Sequence, residues 1–156
     1  SWMWSLVSVP RFKLLSALYS GWLGQFLTRR LNLFVNYIMP AGFARYDRIA
    51  PDIRSAYHQP FQDPQSRKGV RVFPVALTAS DGWLRSLWAR RSNLSRIPAL
   101  ILWGMQDRAF RTAQLNTWSQ VFTKPEVHRL ENVGHYAPEE SGEIAVPMIE
   151  KFIRTV

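Results

Sequence analysis

A chain of 156 residues has the length of one ordinary domain, and its 47% hydrophobic fraction, with seven Trp, excludes a disordered chain. The absence of Cys excludes disulfides, a thiolate nucleophile and Cys-built metal centres, and is compatible with a cytoplasmic location. The formal charge of +9 is uneven, since residues 1–96 hold 14 basic and 4 acidic side chains while residues 97–156 hold 6 and 7.

The first part of the chain is predicted to be helical. Apolar residues recur at helical spacing, and Pro40 and Gly42 are expected to end this stripe. Gly21 and Gly24 are expected to break it. The apolar positions of the stripe are Leu14, Leu15, Leu18, Trp22, Leu23, Phe26, Leu27, Leu31, Phe34, Val35 and Ile38.

Residues 50–73 are dense in Pro, Gln, Ser and Asp, and this composition predicts long loops around one short helix from Pro51 to Tyr57. A further helix is predicted from Asp81 to Arg91, with Ser80 as its cap. Its apolar face consists of Trp83, Leu84, Leu87 and Trp88.

The C-terminal part of the chain alternates between strands and helices. The apolar run Ala99–Trp103 is typical of a strand buried on both faces of a parallel sheet, and 126–130 is predicted as a second strand. A helix with Thr112 as its cap is predicted to run to about Phe122 between the strands, and a final helix, interrupted near Pro147, is predicted to follow. This order predicts an α/β layered fold in which two parallel strands need further strands beside them.

Two residues with catalytic chemistry follow the predicted strands. Asp107 lies four residues past Trp103, and His135 lies five residues past Leu130. Functional residues of α/β sheets collect beyond the carboxyl ends of the strands, and adjacent strands lie about 5 Å apart. A carboxylate on the far ring nitrogen of a His fixes its tautomer and stabilises the imidazolium that forms when the ring takes a proton. The spacing therefore predicts an acid–base pair.

Each of these residues also has a purely structural interpretation. Asp107 alone is typical of a turn or helix-capping residue, and His135 is compatible with an ordinary loop His. Glu139 and Glu140 are expected to complement the dipole of the following helix. The remaining histidines lack such a strand-end context and are expected to be structural or surface residues, namely His58 and His128.

The motifs, taken in this order, resemble the α/β-hydrolase superfamily. "IPALILWGMQDRAF" followed by "VHRLENVGHYAPEE" is similar to the closing segment of that superfamily, with its acid-bearing strand and catalytic-His loop. "FVNYIMPAGFAR", "AYHQPFQDPQSR" and "RVFPVALTAS" are similar to the helical cap of haloalkane dehalogenases, in which a P-x-G-x-x-R turn precedes a Y-x-x-P-F…R…F-P stretch. "SWMW" resembles the exit from the strand that leads into that cap. The resemblance covers essentially the whole chain but only the C-terminal half of the family's domain.

The resemblance implies an α/β fold class, the C-terminal portion of an α/β-hydrolase fold. Residues 1–78 would form a helical cap (lid) segment, and residues 79–156 the C-terminal part of the core, with two parallel strands and flanking helices. Asp107 would be the acid of a catalytic triad and His135 its general base. An apolar substrate pocket is implied at Phe34, Ile38, Gly42, Phe110 and Tyr136. The spacing of Phe34 and Ile38 is equally compatible with an ordinary buried helix face.

The implied activity is haloalkane dehalogenase-like hydrolysis of carbon–halogen bonds through an alkyl-enzyme ester, with no cofactor and no metal. The nucleophile expected in a G-x-S-x-G or G-x-D-x-G elbow does not occur among the 156 residues. A Ser nucleophile acting on esters, or an Asp nucleophile opening epoxides, therefore stays open. A non-catalytic chain that binds a partner through an unpaired sheet edge is an alternative of another class.

The expected partners are a small apolar substrate, a halogenated alkane or an ester, and the N-terminal half of the hydrolase core. Nucleic acid is not expected, because the basic residues are scattered without a binding motif. A membrane is not expected either, because the apolar runs fall far short of the about 20 residues of a span. The start "SWMWSLVSVP" lacks the basic residue and cleavage pattern of a secretory signal, so a cytoplasmic location is expected.

Overall fold

The computed structural model describes residues 3–156, so Ser1 and Trp2, with which the "SWMW" segment begins, lie outside it. Its α-helices are α1 (Pro10–Ser20), α2 (Trp22–Leu31), α3 (Met39–Gly42), α4 (Pro51–His58), α5 (Lys68–Ala79), α6 (Asp81–Ala89), α7 (Thr112–Ser119) and α8 (Ala137–Ile153). Its strands are β1 (Leu100–Gly104) and β2 (Glu126–Leu130). Shorter elements are a π-helix at Phe34–Ile38 and 3₁₀ turns at Tyr46–Arg48, Gln59–Phe61 and Arg91–Leu94. No helix within residues 3–156 combines the length and the hydropathy that crossing a membrane requires.

The chain divides into two compact units. The core unit comprises Ala41–Ile49 and Arg91–Val156 and contains both strands, α7 and α8. The helical unit comprises the described residues up to Pro40 together with Ala50–Arg90. Helices followed by two parallel strands with flanking helices confirm the predicted fold class. The assignment of residues 1–78 as a cap segment stays a prediction.

In the helical unit, α1 packs against α2 and α5. The buried side of α1 carries Phe12, Ser16 and Tyr19, and the Ser16 hydroxyl lies 2.7 Å from that of Thr78 on α5. The predicted apolar stripe is therefore only partly the packed face. Its members that are more than a third exposed are Leu14, Leu18, Trp22, Leu23, Phe26 and Leu31.

Gly21 separates α1 from α2, as predicted, but the break predicted at Gly24 is wrong. Gly24 is buried inside α2, where a Cβ would lie 2.0 Å from the carbonyl oxygen of Leu18, so this glycine allows the two helices to approach closely. The second break is at Asn32, whose left-handed φ of 49° ends α2. Asn is among the few residues other than Gly that adopt this conformation readily.

The predicted loop over residues 50–73 is only partly correct. The short helix α4 is confirmed, but α5 already begins at Lys68 and continues through Pro74. Because Pro74 and Leu77 are buried in the helical unit, tertiary packing outweighs the backbone hydrogen bond that a proline removes. In α6, Leu84 is buried as expected, whereas Trp83 of the same predicted face is 63% exposed.

In the core unit, β1 and β2 pair in parallel, with Leu100 opposite Glu126 and Gly104 opposite Leu130. Both strands lie within one residue of their predicted bounds. Because both strands run in the same direction, their carboxyl ends meet at one edge of the sheet. The loops that follow Gly104 and Leu130 start at this edge.

The helices of the core unit depart from prediction at their ends. Arg111, not Thr112, is the cap residue of α7, and the Arg111 N–H donates to Gln114 Oε1 at 2.8 Å. The interruption of α8 is at Ser141, whose backbone is non-helical (φ −143°, ψ 20°), and not at Pro147. Pro147 lies inside the second part of α8.

Candidate active site

The side chains of Asp107 and His135 meet beyond the carboxyl ends of β1 and β2. His135 Nδ1 lies 2.9 Å from Asp107 Oδ2, which is hydrogen-bonding distance. The Asp107 side chain is 10% exposed and the His135 side chain 36% exposed. The carboxylate is thus nearly buried, while the imidazole reaches the surface of the core unit.

Backbone hydrogen bonds continue past the strand ends and hold the two loops together. Met105 N–H donates to Leu130 O at 3.0 Å, and Gln106 N–H donates to Val133 O at 2.9 Å. This approach requires a glycine at the end of β1, because a Cβ on Gly104 would lie 2.2 Å from the carbonyl oxygen of Gly134. The glycine therefore allows the loop that carries His135 to lie directly against the strand that carries Asp107.

Asp107 is fixed by three donors besides its place in the chain. Its Oδ1 accepts the backbone N–H groups of Ala109 (2.7 Å) and Phe110 (2.9 Å), while Oδ2 faces His135. Burial raises the pKa of Asp107, but the hydrogen bonds from His135 and from these two N–H groups lower it by more than burial raises it. The net pKa of Asp107 therefore lies below its ordinary 3.8. The carboxylate is ionised at neutral pH and accepts from the imidazole.

The imidazole of His135 has one ring nitrogen engaged and one available. Because the Asp107 carboxylate is an acceptor, Nδ1 carries the proton of the neutral ring, and Nε2 holds a lone pair. Within residues 3–156, Nε2 has no hydrogen-bond partner. The Phe110 ring stacks on the imidazole with centroids 5.7 Å apart, and the Tyr136 ring meets it edge-on at 5.4 Å. This arrangement can accept a proton at Nε2 and stabilise the resulting charge through Asp107.

The segment before α4 anchors the His135 loop from the other side. Gly42 O accepts the His135 N–H at 2.8 Å. Glu140 accepts the N–H of Gly134 on Oε2 at 2.8 Å and the N–H of Ala44 on Oε1 at 2.5 Å. The sequence suggested only a helix-dipole role for Glu140, because nothing in the local pattern indicates that its carboxylate bridges two distant backbone segments.

The fold of the described residues is similar to that of solved haloalkane dehalogenases. A loop variant of the haloalkane dehalogenase DbeA from Bradyrhizobium elkanii matches 92% of the chain with a TM-score of 0.77 at 19% identity. The haloalkane dehalogenase DatA from Agrobacterium tumefaciens matches 99% of it with a TM-score of 0.71 at 25% identity. These matches cover 48% and 56% of the respective solved chains. The chain is the C-terminal portion of an α/β-hydrolase fold.

Curated relatives of this chain carry two kinds of name. Haloalkane dehalogenase 2 of Mycobacterium tuberculosis is 29% identical over 156 residues, which is 97% of the chain and 53% of the relative. A cis-3-alkyl-4-alkyloxetan-2-one decarboxylase of Shewanella oneidensis is 26% identical over 136 residues, 84% of the chain and 42% of the relative. No protein-family model matches. The chain spans about half the length of the curated relatives it matches.

Three of the five residues predicted to line a substrate pocket lie beside His135 in the core unit. Phe110 stacks on His135, Tyr136 meets His135 edge-on, and Gly42 bonds the His135 N–H. Burial, with smaller contributions from the charges of Glu139 and Asp107, raises the pKa of Tyr136 to about 12. The Tyr136 hydroxyl therefore stays protonated at neutral pH.

The other two predicted pocket residues, Phe34 and Ile38, belong to the helical unit. They lie at the ends of a π-helix rather than in the expected α-helix, and both side chains are half-buried. Single-turn π-helices occur frequently at functional sites. Their contact with a substrate stays a prediction.

A cavity of about 500 Å³ in the core unit is polar. Six of its eight lining residues carry polar or charged side chains; the lining residues are Ala44, Arg45, Arg48, Ile49, Gln106, Asn132, Glu139 and Glu140. It therefore differs from the apolar substrate pocket that the resemblance implies. Among residues 3–156, no cluster of three or more His, Asp or Glu side chains could hold a metal ion.

Proposed function

We propose that this chain supplies the acid and the general base of an α/β-hydrolase catalytic centre, with haloalkane dehalogenation as its reaction. The observation that carries the proposal is the 2.9 Å contact between Asp107 Oδ2 and His135 Nδ1 beyond two adjacent parallel strands. Ionised Asp107 and a His135 Nε2 without a partner among the described residues are what proton abstraction from water requires. Relatives named haloalkane dehalogenase support the choice of substrate class.

In the proposed reaction, a carboxylate nucleophile outside the 156 residues attacks the carbon that bears the halogen. A carbon–oxygen bond forms, the carbon–halogen bond breaks, and halide leaves, which produces an alkyl-enzyme ester. His135 then removes a proton from water through Nε2, and the hydroxide attacks the ester carbonyl. The alcohol leaves, the carboxylate is regenerated, and His135 returns the proton to solvent, while Asp107 stabilises the transient imidazolium.

A second reaction is favoured by the relatives named cis-3-alkyl-4-alkyloxetan-2-one decarboxylase, which are 26% and 29% identical to this chain. These names place a strained cyclic ester, rather than an alkyl halide, among the substrates of similar chains. A Ser nucleophile acting on esters and an Asp nucleophile opening epoxides are the other reactions compatible with the same acid–base pair. The hydrolytic reactions among them use His135 as the proton acceptor for water, so the nucleophile and the substrate panel separate the candidates.

The experiment begins with the coding sequence upstream of Ser1, because an in-frame elbow there identifies the nucleophile as Asp or Ser. The protein expressed from that reading frame is assayed with a bromoalkane, an alkyl oxetanone, an epoxide and a nitrophenyl ester. His135→Gln is expected to abolish turnover of the bromoalkane. It is expected to leave a single release of about one halide per chain, because ester formation precedes the step that needs the base. Intact-mass spectrometry would detect the trapped ester.

His128→Gln is the matched control, because His128 also contacts a carboxylate, Glu126 Oε1 at 2.7 Å, but lies along β2 rather than beyond it. It is expected to leave turnover unchanged. Equal loss in both variants, or full turnover by His135→Gln, would contradict the assignment of His135 as base. Turnover of the oxetanone but not the bromoalkane would transfer the proposal to the second reaction. Absence of an upstream reading frame would favour the non-catalytic binding chain.

A further inference from the structure

The helical unit contains a cavity whose charged lining residues are all basic. It has a volume of about 150 Å³ and is lined by Arg29, Pro64, Gln65, Arg67, Lys68 and Arg71. Four of these six side chains are cations at neutral pH and none is an acid. We call this site the cationic cavity. Like charges gathered around one small space repel each other unless an anion lies between them.

Arg67 is the most buried of these cations, with only 8% of the residue exposed. Its guanidinium donates to three backbone carbonyls, those of Phe61 (2.7 Å), Arg29 (2.5 Å) and Gln62 (2.7 Å). Among residues 3–156, no carboxylate forms an ion pair with it. Carbonyl dipoles satisfy its donors but do not neutralise its charge, and buried charges in proteins are normally paired.

The start of α5 adds to the positive potential instead of offsetting it. Lys68 is the first residue of the helix and Arg67 precedes it, while the first turn contains no acidic residue and no side-chain cap. A helix N-terminus carries about half a positive charge and normally attracts acidic side chains. Gly69 faces open space, since a Cβ added there would meet no atom within 4 Å. The turn is therefore accessible to a ligand.

The dimensions of the site favour a small oxyanion. A volume of about 150 Å³ is several times the ~30 Å³ share of one water, so the cavity admits a small group of a few heavy atoms such as phosphate. A second cavity of about 500 Å³ shares Arg29, Pro64 and Gln65 with the first and is also lined by Gln25, Phe26, Arg30 and Asp63. It offers space for an organic group attached to the phosphate. Arg side chains suit this ligand because their planar forks bind phosphate oxygens in pairs.

We propose that the cationic cavity binds a phosphate group, as inorganic phosphate or as the monoester of a small molecule or lipid. Lys68 and Arg71 neutralise the dianion from the rim, and the buried charge of Arg67 attracts it from below. Arg71 Nη1 lies 3.1 Å from Gln25 Oε1, which orients its guanidinium. This site lies wholly in the helical unit and is independent of Asp107 and His135.

The test is a titration of the ¹⁵N-labelled 156-residue chain with inorganic phosphate at constant ionic strength, read by amide chemical shifts. Saturable shifts are expected at Lys68, Gly69 and Val70. Lys68→Gln and Arg71→Gln are each expected to weaken binding by about 3- to 10-fold, the effect of losing one partly exposed charged contact. Lys13→Gln is the matched control, since Lys13 is an exposed lysine of α1 that does not line the cavity. The phosphate affinity of this variant is expected to equal that of the parent chain.

Further arms distinguish the sources of the phosphate. Glycerol phosphate represents a free monoester, and vesicles of phosphatidic acid, compared with phosphatidylcholine vesicles, represent a lipid headgroup. Binding of glycerol phosphate or of phosphatidic acid vesicles that is stronger than binding of inorganic phosphate supports the site and identifies the source of the phosphate group. Shifts that do not saturate, equal shifts with chloride, or equal weakening by Lys13→Gln and Lys68→Gln would overturn the proposal.

Discussion

Replacing Gly104 by Ala tests how the fold holds Asp107 and His135 together. Gly104 ends β1 three residues before Asp107, and Gly134 directly precedes His135. A Cβ at position 104 would lie 2.2 Å from Gly134 O and 2.6 Å from Val133 O. Both neighbours are backbone atoms, so neither can rotate away as a side chain would.

The size of the effect follows from these distances. Real Cβ atoms essentially never lie within 3.0 Å of such atoms, so the loop carrying His135 must retreat by about 1 Å. Such overpacking costs about 1–3 kcal/mol of unfolding free energy. The same retreat is expected to lengthen the Asp107–His135 contact beyond hydrogen-bonding distance. In a catalytically complete protein, a misplacement of about 1 Å corresponds to about 100-fold in kcat.

Two measurements on the 156-residue chain check this prediction. Urea denaturation gives the unfolding free energy, and proton NMR detects the His135 Nδ1–H that Asp107 shields from exchange. Gly142→Ala in α8 is the matched control, because a Cβ there meets nothing within 4 Å and Ala favours a helix over Gly. An unfolding free energy of Gly104→Ala within about 0.5 kcal/mol of the parent, with the Nδ1–H signal retained, would refute the steric reasoning.

Three further predictions concern the same unit. Glu140→Gln is expected to lower the unfolding free energy by about 1–3 kcal/mol in urea denaturation, because the amide nitrogen would face a backbone N–H and leave it unsatisfied. Glu143→Gln, at an exposed site, is the control and is expected to change the unfolding free energy by less than about 0.5 kcal/mol. The folded-state pKa of Asp107 lies below the ordinary 3.8, so its contribution to stability is present above about pH 4 and is lost as pH falls through the folded pKa. Unfolding free energies measured from pH 6 to pH 2 should therefore fall more steeply in the parent than in Asp107→Asn, and identical slopes would contradict this. Leu115→Ala, at a fully buried position, is expected to lower the unfolding free energy by about 2–5 kcal/mol, measured by denaturation. Ile153→Ala, at a position that is 64% exposed, should lower the unfolding free energy much less. Comparable losses of unfolding free energy in the two variants would show that α7 is not part of the core.

The helical unit shows where local patterns fail. The break at Gly24 was predicted because glycine weakens a helix, yet the structure buries Gly24 against α1, where only a glycine fits. The start of α5 lies within residues 50–73, whose Pro, Gln, Ser and Asp content indicates a loop, whereas packing of the helix against α1 compensates for the donor that Pro74 lacks. In both cases the deciding contact comes from another helix, which a local pattern does not contain.

The sequence by itself determined the two parallel strands, the helix between them and the pairing of Asp107 with His135. These features depend on short-range apolar patterns and on the rule that parallel strands present their carboxyl ends at one edge. Only the tertiary structure decided how the pair is held. Glu140 bonds backbone groups that lie 6 and 96 residues away, and Gly104 lies against Gly134 because two loops converge. The contacts of Glu140 with Ala44 and of Gly104 with Gly134 join residues far apart in sequence, so no periodicity or spacing encodes them.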